Sequence, residues 1–131
     1  MSALFGCCEV DETSTLDSNL WRRRAEPTIR KCSTFTFPEI SRIMEGFNRQ
    51  QKCSDVILID CSSIQTSAIT SIECRSLAAS FFESPIRAVF IADTAVAFGL
   101  ARMIAGHSRN LNVFVCRSIN AAYEICERLN S

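Results

Sequence analysis

Three short polar clusters follow apolar runs in this chain, and their residue types are the ones that could do chemistry: Asp60 with Ser62 and Ser63, Asp93 with Thr94, and Arg117 with Ser118. Each lies close to the start of a helical pattern. The free backbone N–H groups of a helix start suit an anion or a polar ligand head. Ser, Thr and Asp are equally the favoured helix caps. The same residues therefore fit a binding edge or plain capping. Asp60 and Asp93 would hold a magnesium ion, as in a phosphoacceptor site, only with a neighbouring acid and a late strand-end lysine, and neither is present. No metal and no cofactor are expected.

Other reaction chemistries lack their parts. No G-x-G-x-x-G follows an apolar run and no G-K-[ST] occurs, so a nucleotide has no phosphate cradle. The sole histidine, His107, stands after Gly106 at a helix end, where a cation is favourable. With one histidine and no G-x-S-x-G elbow, a hydrolytic triad is not expected. The eight cysteines (Cys7, Cys8, Cys32, Cys53, Cys61, Cys74, Cys116 and Cys126) contain no C-x-x-C pair and read as small core hydrophobes of a reduced protein. The chain is expected not to be an enzyme. An enzymatic reading would need Asp60 or Asp93 strongly perturbed in a polar pocket.

Alternating elements position these clusters. Residues 28–35 mix β-branched, aromatic and charged side chains and predict an exposed strand. Thr36 to Glu39 has the pattern of a capping box, and Ile40, Ile43, Met44 and Phe47 then form one helical apolar stripe. Val56 to Ile59 is a wholly apolar run ending in Asp60, the pattern of a strand covered on both faces. Thr70 to Glu73 is a second capping box, followed by the stripe Cys74, Leu77, Ala78 and Phe81. Residues 86–92 predict a strand, 94–106 a helix, 111–116 a strand and 118–130 a final helix capped by Ser118. Strands joined by single helices run parallel, so the expected fold is α/β, one mostly parallel sheet with alternating helices. The helix over 94–106 is apolar on more than one face, through Val96, Phe98, Leu100 and Met103 among others, which predicts packing on the sheet and also on a second helix or a second subunit.

Length and composition set the outer limits. The 131 residues suit one domain, divided into a less readable segment at 1–26 and the α/β unit at 27–131. Fourteen basic and fourteen acidic residues balance to zero, so the overall field does not favour nucleic acid or an anionic membrane. Twelve of the basic residues are arginine, suited to planar contacts with carboxylates. No charged leader with an apolar run and no apolar stretch of spanning length occurs, which predicts a cytoplasmic protein without a membrane span. Cys7 and Cys8 are adjacent as in palmitoylated chains, but Ser2 stands where myristoylation needs glycine, and lipidation is not expected.

The run Asp93 through Ala97-Phe98-Gly99-Leu100-Ala101-Arg102-Met103, then Val113 to Ser118 and Ala121-Ala122, resembles the SpoIIAA-like branch of the STAS domains (sulfate transporter and anti-sigma-factor antagonist). The strand Ile57 to Asp60 and the helix start at Thr36 fit that family's order, so the likeness covers residues 28–130. It implies a small bacterial module that binds a protein partner and whose outline is shared with lipid-transfer domains of the CRAL-TRIO type. In such modules phosphorylation of a D-S-S-G serine or threonine at a helix start switches partners. That motif falls here on Ala68-Ile69-Thr70-Ser71, which lacks the acid, the first serine and the glycine and keeps the Thr70 hydroxyl. The expected contact surface is Ser62, Ser63, Thr70, Asp93, Thr94 and Arg117, with Thr70 the candidate phosphosite. Homodimerisation through the 94–106 helix is a further expectation. The alternative reading is a carrier of a lipid or other apolar small molecule, motivated by that helix and by Phe81, Phe82, Phe90 and Phe98.

Overall fold

Strand and helix alternate along the computed structural model, which describes residues 27–50 and 55–129. The elements are β1 (Thr28–Lys31), α1 (Phe37–Gln50), β2 (Ile57–Asp60), α2 (Ser71–Phe81), β3 (Ala88–Ile91), α3 (Ala95–His107), β4 (Val113–Cys116) and α4 (Ile119–Leu129). The sequence readings on residues 1–26, including Cys7 and Cys8, and on Cys53 lie outside the described residues. The four strands form a parallel sheet in the order β1-β2-β3-β4, with Lys31, Asp60, Ile91 and Cys116 in register at its carboxyl end.

Right-handed crossovers between successive neighbours in one direction place their helices on the same face of a sheet. The side chains agree. Ile57, Ile59, Ala88, Phe90 and Val113 point into one core with Ile40, Ile43, Met44 and Phe47 of α1, Cys74, Leu77 and Ala78 of α2, and Ala97, Ala101 and Ile104 of α3. The alternate residues Leu58, Val89, Ile91 and Cys116 meet Ala122, Ile125 and Cys126 of α4 on the opposite face. Successive strand residues point to opposite faces, so a strand coated on both sides must be apolar throughout. β2 and β3 satisfy that requirement.

The caps are partly as the sequence predicts. At α2, Glu73 N–H donates to Thr70 Oγ1 at 3.1 Å and Thr70 N–H donates to Glu73 Oε1 at 3.0 Å, a complete capping box. At α1 only half forms: Glu39 N–H donates to Thr36 Oγ1 at 3.3 Å, while the Glu39 carboxylate pairs with Arg42 at 3.0 Å and Thr36 N–H turns back to the Thr34 carbonyl. The salt bridge one turn along the helix takes the carboxylate that the box would use. The predicted strand over 28–35 stops at Lys31, and beyond it Cys32 and Phe35 bury. Phe81, assigned to the α2 stripe, is only half-buried; Phe82 at the C-cap is the fully buried ring, because the chain leaves helical phase there and turns inward.

α3 buries Ala97, Ala101 and Ile104 and packs on α2, as its girth predicts, while Val96 and Met103 are 39% and 37% exposed. The five described cysteines, Cys32, Cys61, Cys74, Cys116 and Cys126, are buried free thiols, in line with their reading as core residues. A short polar latch closes the far end of the sheet. Asn110 Nδ2 donates to the Phe82 carbonyl at 3.2 Å and to the Ile86 carbonyl, its Oδ1 accepts from Asn112 N–H at 2.9 Å, and Ser108 Oγ donates to the Phe82 carbonyl at 2.8 Å.

The Thr70 cap gives a first measurable expectation. Thr70→Ala should lower the free energy of unfolding by about 1 kcal/mol, and Thr70→Ser should recover most of it, read from guanidinium midpoints at constant slope.

Candidate functional site: the carboxyl edge of the sheet

The strands β2 and β3 end side by side, and the loop over 61–69 folds back across their ends. Three contacts tie it down. Ser62 N–H donates to Asp60 Oδ1 at 3.0 Å, Ser63 N–H donates to Asp93 Oδ1 at 2.7 Å, and Thr94 Oγ1 donates to the Ile64 carbonyl. Ser63 adopts φ +69°, a left-handed conformation that L side chains other than Asn and Asp rarely take. The fixed N–H aimed at Asp93 accompanies that turn. Thr94 also caps α3, accepting from Ala97 N–H at 3.1 Å. Lys31, which the sequence reading did not single out, donates to the Ser62 carbonyl at 3.2 Å and stands 4.0 Å from Asp60.

Ser62, Ser63, Asp93 and Thr94 therefore form one knot with Asp60. Thr70 stands at the other end of the loop, whose return is held by Ser67 Oγ donating to the Phe35 carbonyl at 2.6 Å. Arg117, at the end of β4, places its guanidinium 3.9 Å from the centre of the Phe98 ring, and Arg102 stands 5.9 Å from the same ring. Neither Thr70 nor Arg117 bonds to the knot, so the six predicted residues share an edge and not a single cluster.

Burial alone would raise the Asp60 carboxyl, but the Ser62 hydroxyl and N–H and the nearby Lys31 ammonium outweigh it and hold Asp60 below its ordinary value. A carboxylate depressed in the fold contributes stability that is present above its unfolded pKa, about 3.9, and lost as pH falls through the lower folded value. Asp60→Asn should therefore flatten the acid side of the stability profile between about pH 5 and pH 3 relative to the parent. Guanidinium midpoints across that window check it, and parallel profiles would refute it.

Beneath the knot, Cys32 and Cys61 continue the strands in step, with Cys32 N–H on the Asp60 carbonyl at 2.8 Å and Cys61 N–H on the Ile91 carbonyl at 2.8 Å. The Cys61 thiol is pushed up by its hydrogen bond with Cys32, then by burial and by Asp60. Among the described residues no group of three or more His, Cys, Asp or Glu side chains comes close enough to hold a metal ion. No described helix is long and apolar enough to cross a membrane.

Chemically, the edge offers loop serines, cap hydroxyls and one stacked guanidinium around carboxylates that already accept backbone N–H groups. Such an arrangement presents a defined polar surface. Compared with protein-family models, with curated proteins and with solved structures, the chain matches none.

Proposed function

We propose that this chain is a non-enzymatic regulatory or interaction module of the bacterial cytoplasm, STAS-like in kind, that binds a protein partner through Ser62, Ser63, Thr70, Asp93, Thr94 and Arg117. The observation that carries the reading is the engagement of both carboxylates. Asp60 and Asp93 each accept a serine N–H of the loop, and so anchor it across the strand ends as a shaped surface. Preorganised loops on a rigid sheet are where binding residues concentrate. Phosphorylation would act at Thr70, which is exposed at a helix start. A phosphoryl group there would meet the favourable end of the α2 dipole and displace the Glu73 carboxylate from the Thr70 N–H.

A photo-crosslinking residue placed at Ser63, compared with one at the exposed Asn48 on α1, tests the surface directly in the producing cell. A discrete adduct from position 63 and none from position 48 supports the reading. Equal labelling at both positions, or none, sinks it.

The carrier reading finds less support. Phe82 and Phe90 are buried, with the Phe90 ring centre 5.2 Å from that of Phe82 and 6.4 Å from that of the buried Phe35, so these rings pack on one another. Native mass spectrometry after gentle purification would restore that reading if a lipid stayed bound. The exposed Val96 and Met103 of α3 favour a homodimer through that helix, and a monomeric mass by light scattering at high concentration would remove it.

A further inference from the structure

β4 is an outer strand of the sheet among the described residues. Ala88 N–H donates to the Asn112 carbonyl at 3.0 Å and Ala92 N–H to the Cys116 carbonyl at 2.8 Å, so the even-numbered residues of β4 bond inward to β3. Alternation then points the N–H and C=O groups of Val113 and Val115 outward. Natural proteins blunt such an edge with charge, proline or a cover. β4 reads Val-Phe-Val-Cys and has neither charge nor proline within it.

Beside the edge runs an open groove of about 380 Å³ between β4 and α3, lined by Phe98, Arg102, Gly106, Val113 and Val115 among others. Its chemistry is apolar with cationic margins. No Asp or Glu occurs anywhere from residue 94 to residue 123, whereas Arg102, Arg109 and Arg117 do. Arg102 and Arg117 both lie over the Phe98 ring, where their guanidinium groups keep their in-plane donors for a carboxylate.

We propose that this groove receives an extended acidic segment of a protein partner, added to the sheet as a further strand beside β4. The main chain of that segment bonds to Val113 and Val115. Its alternate apolar side chains enter the groove beside Gly106, Val113 and Val115, and its carboxylates meet Arg102 and Arg117 in charge-assisted contacts. Charge decides the occupant. A second copy placed edge to edge would set this acid-free, arginine-bearing margin against its own twin. A nucleic acid would find few cations and an apolar floor. Only Arg117 is shared with the strand-end surface, so this groove stands or falls separately from the proposed function.

The test uses the full chain and a capped heptapeptide alternating aspartate with valine or leucine, with hydrogen exchange of the Val113 and Val115 amides followed by NMR. Both amides are expected to exchange freely in the protein alone and to slow by at least about tenfold, equivalent to 1.4 kcal/mol, in saturating peptide. The same peptide with lysine for aspartate, or N-methylated on the amides facing the edge, should have no such effect. By fluorescence anisotropy, binding should weaken at least about tenfold in Arg102→Glu, in Gly106→Leu, which fills open space in the groove, and in Val115→Pro, which removes an outward N–H of the edge strand together with a half-buried side chain of the groove. Far-UV circular dichroism checks that each variant is folded. Protection in the free protein independent of concentration would assign the edge to residues 1–26, which carry Glu9, Asp11 and Glu12, and would overturn the proposal. Protection that grows with protein concentration would assign it to a second copy and would overturn it equally. So would amides indifferent to the acidic peptide, or slowed as much by the lysine peptide.

Discussion

Truncating Phe90 to alanine will lower the free energy of unfolding by about 3–5 kcal/mol, the largest single-residue effect expected in this fold. Phe90 is 0% exposed, sits in a strand paired on both sides, and lies between the rings of Phe35 and Phe82 at interplanar angles of 25° and 41°. Removing it deletes the transfer energy of an aromatic ring and leaves a void bounded by Ile59 and Val115, its in-register neighbours, and by the two rings that had packed on it. A domain of this length has about 5–15 kcal/mol in total, so the variant should stand near the edge of folding. Phe90→Leu keeps most of the volume and should cost much less. Guanidinium titration reads both, with an unchanged slope expected. A loss under about 1 kcal/mol in the alanine variant would mean that the ring already borders empty space, and would revive the carrier reading.

The second large effect is expected at Asn110, which is 7% exposed and makes hydrogen bonds to three separate backbone groups. Asn110→Ala leaves the Ile86 carbonyl and the Asn112 N–H without their partners, and an unsatisfied buried group costs about 1–3 kcal/mol. The total expected is about 2–4 kcal/mol, since the Phe82 carbonyl keeps its bond from Ser108. Asn110→Asp is the sharper probe. It preserves shape and the acceptor for Asn112 but turns two donors into lone pairs facing the Phe82 and Ile86 carbonyls. It should be destabilised at least as much as the alanine variant at neutral pH and should recover as pH falls and the carboxyl takes up a proton. Thermal melts at pH 7 and pH 4 separate these outcomes.

The runs at Ile57 and Ala88 were legible as strands because a strand coated on both faces must be apolar throughout, and α1 was legible because its stripe is unbroken. Thr70 and Glu73 were readable because a capping box is local. The misreadings arose where a local pattern met a competitor. Glu39 left its box for Arg42, and Phe82 took the place of Phe81 because a helix that ends early changes which side chain points inward. Asn110 gave no signal, since Asn-Leu-Asn reads as an ordinary turn and its partners lie 24 to 28 residues away. The strand-end location of Asp60, Asp93 and Arg117 followed from sequence. What those carboxylates accept did not, because the bond from Ser63 to Asp93 spans 30 residues. Nor does composition tell an outer strand from an inner one: β4 is as apolar as β2, and only the sheet order makes it an edge.

Each described strand lies beside the one made just before it, so no later segment has to wedge between two that have already paired. Every βα unit can dock as it leaves the ribosome, on a template finished moments earlier, and the pairing partners are never farther apart in sequence than one crossover. Domains generally fold as units during synthesis, amino-terminal parts first. Here the order of the strands across the sheet follows the order of translation, from β1 to β4, and β4, the last described strand to be synthesised, keeps one side open.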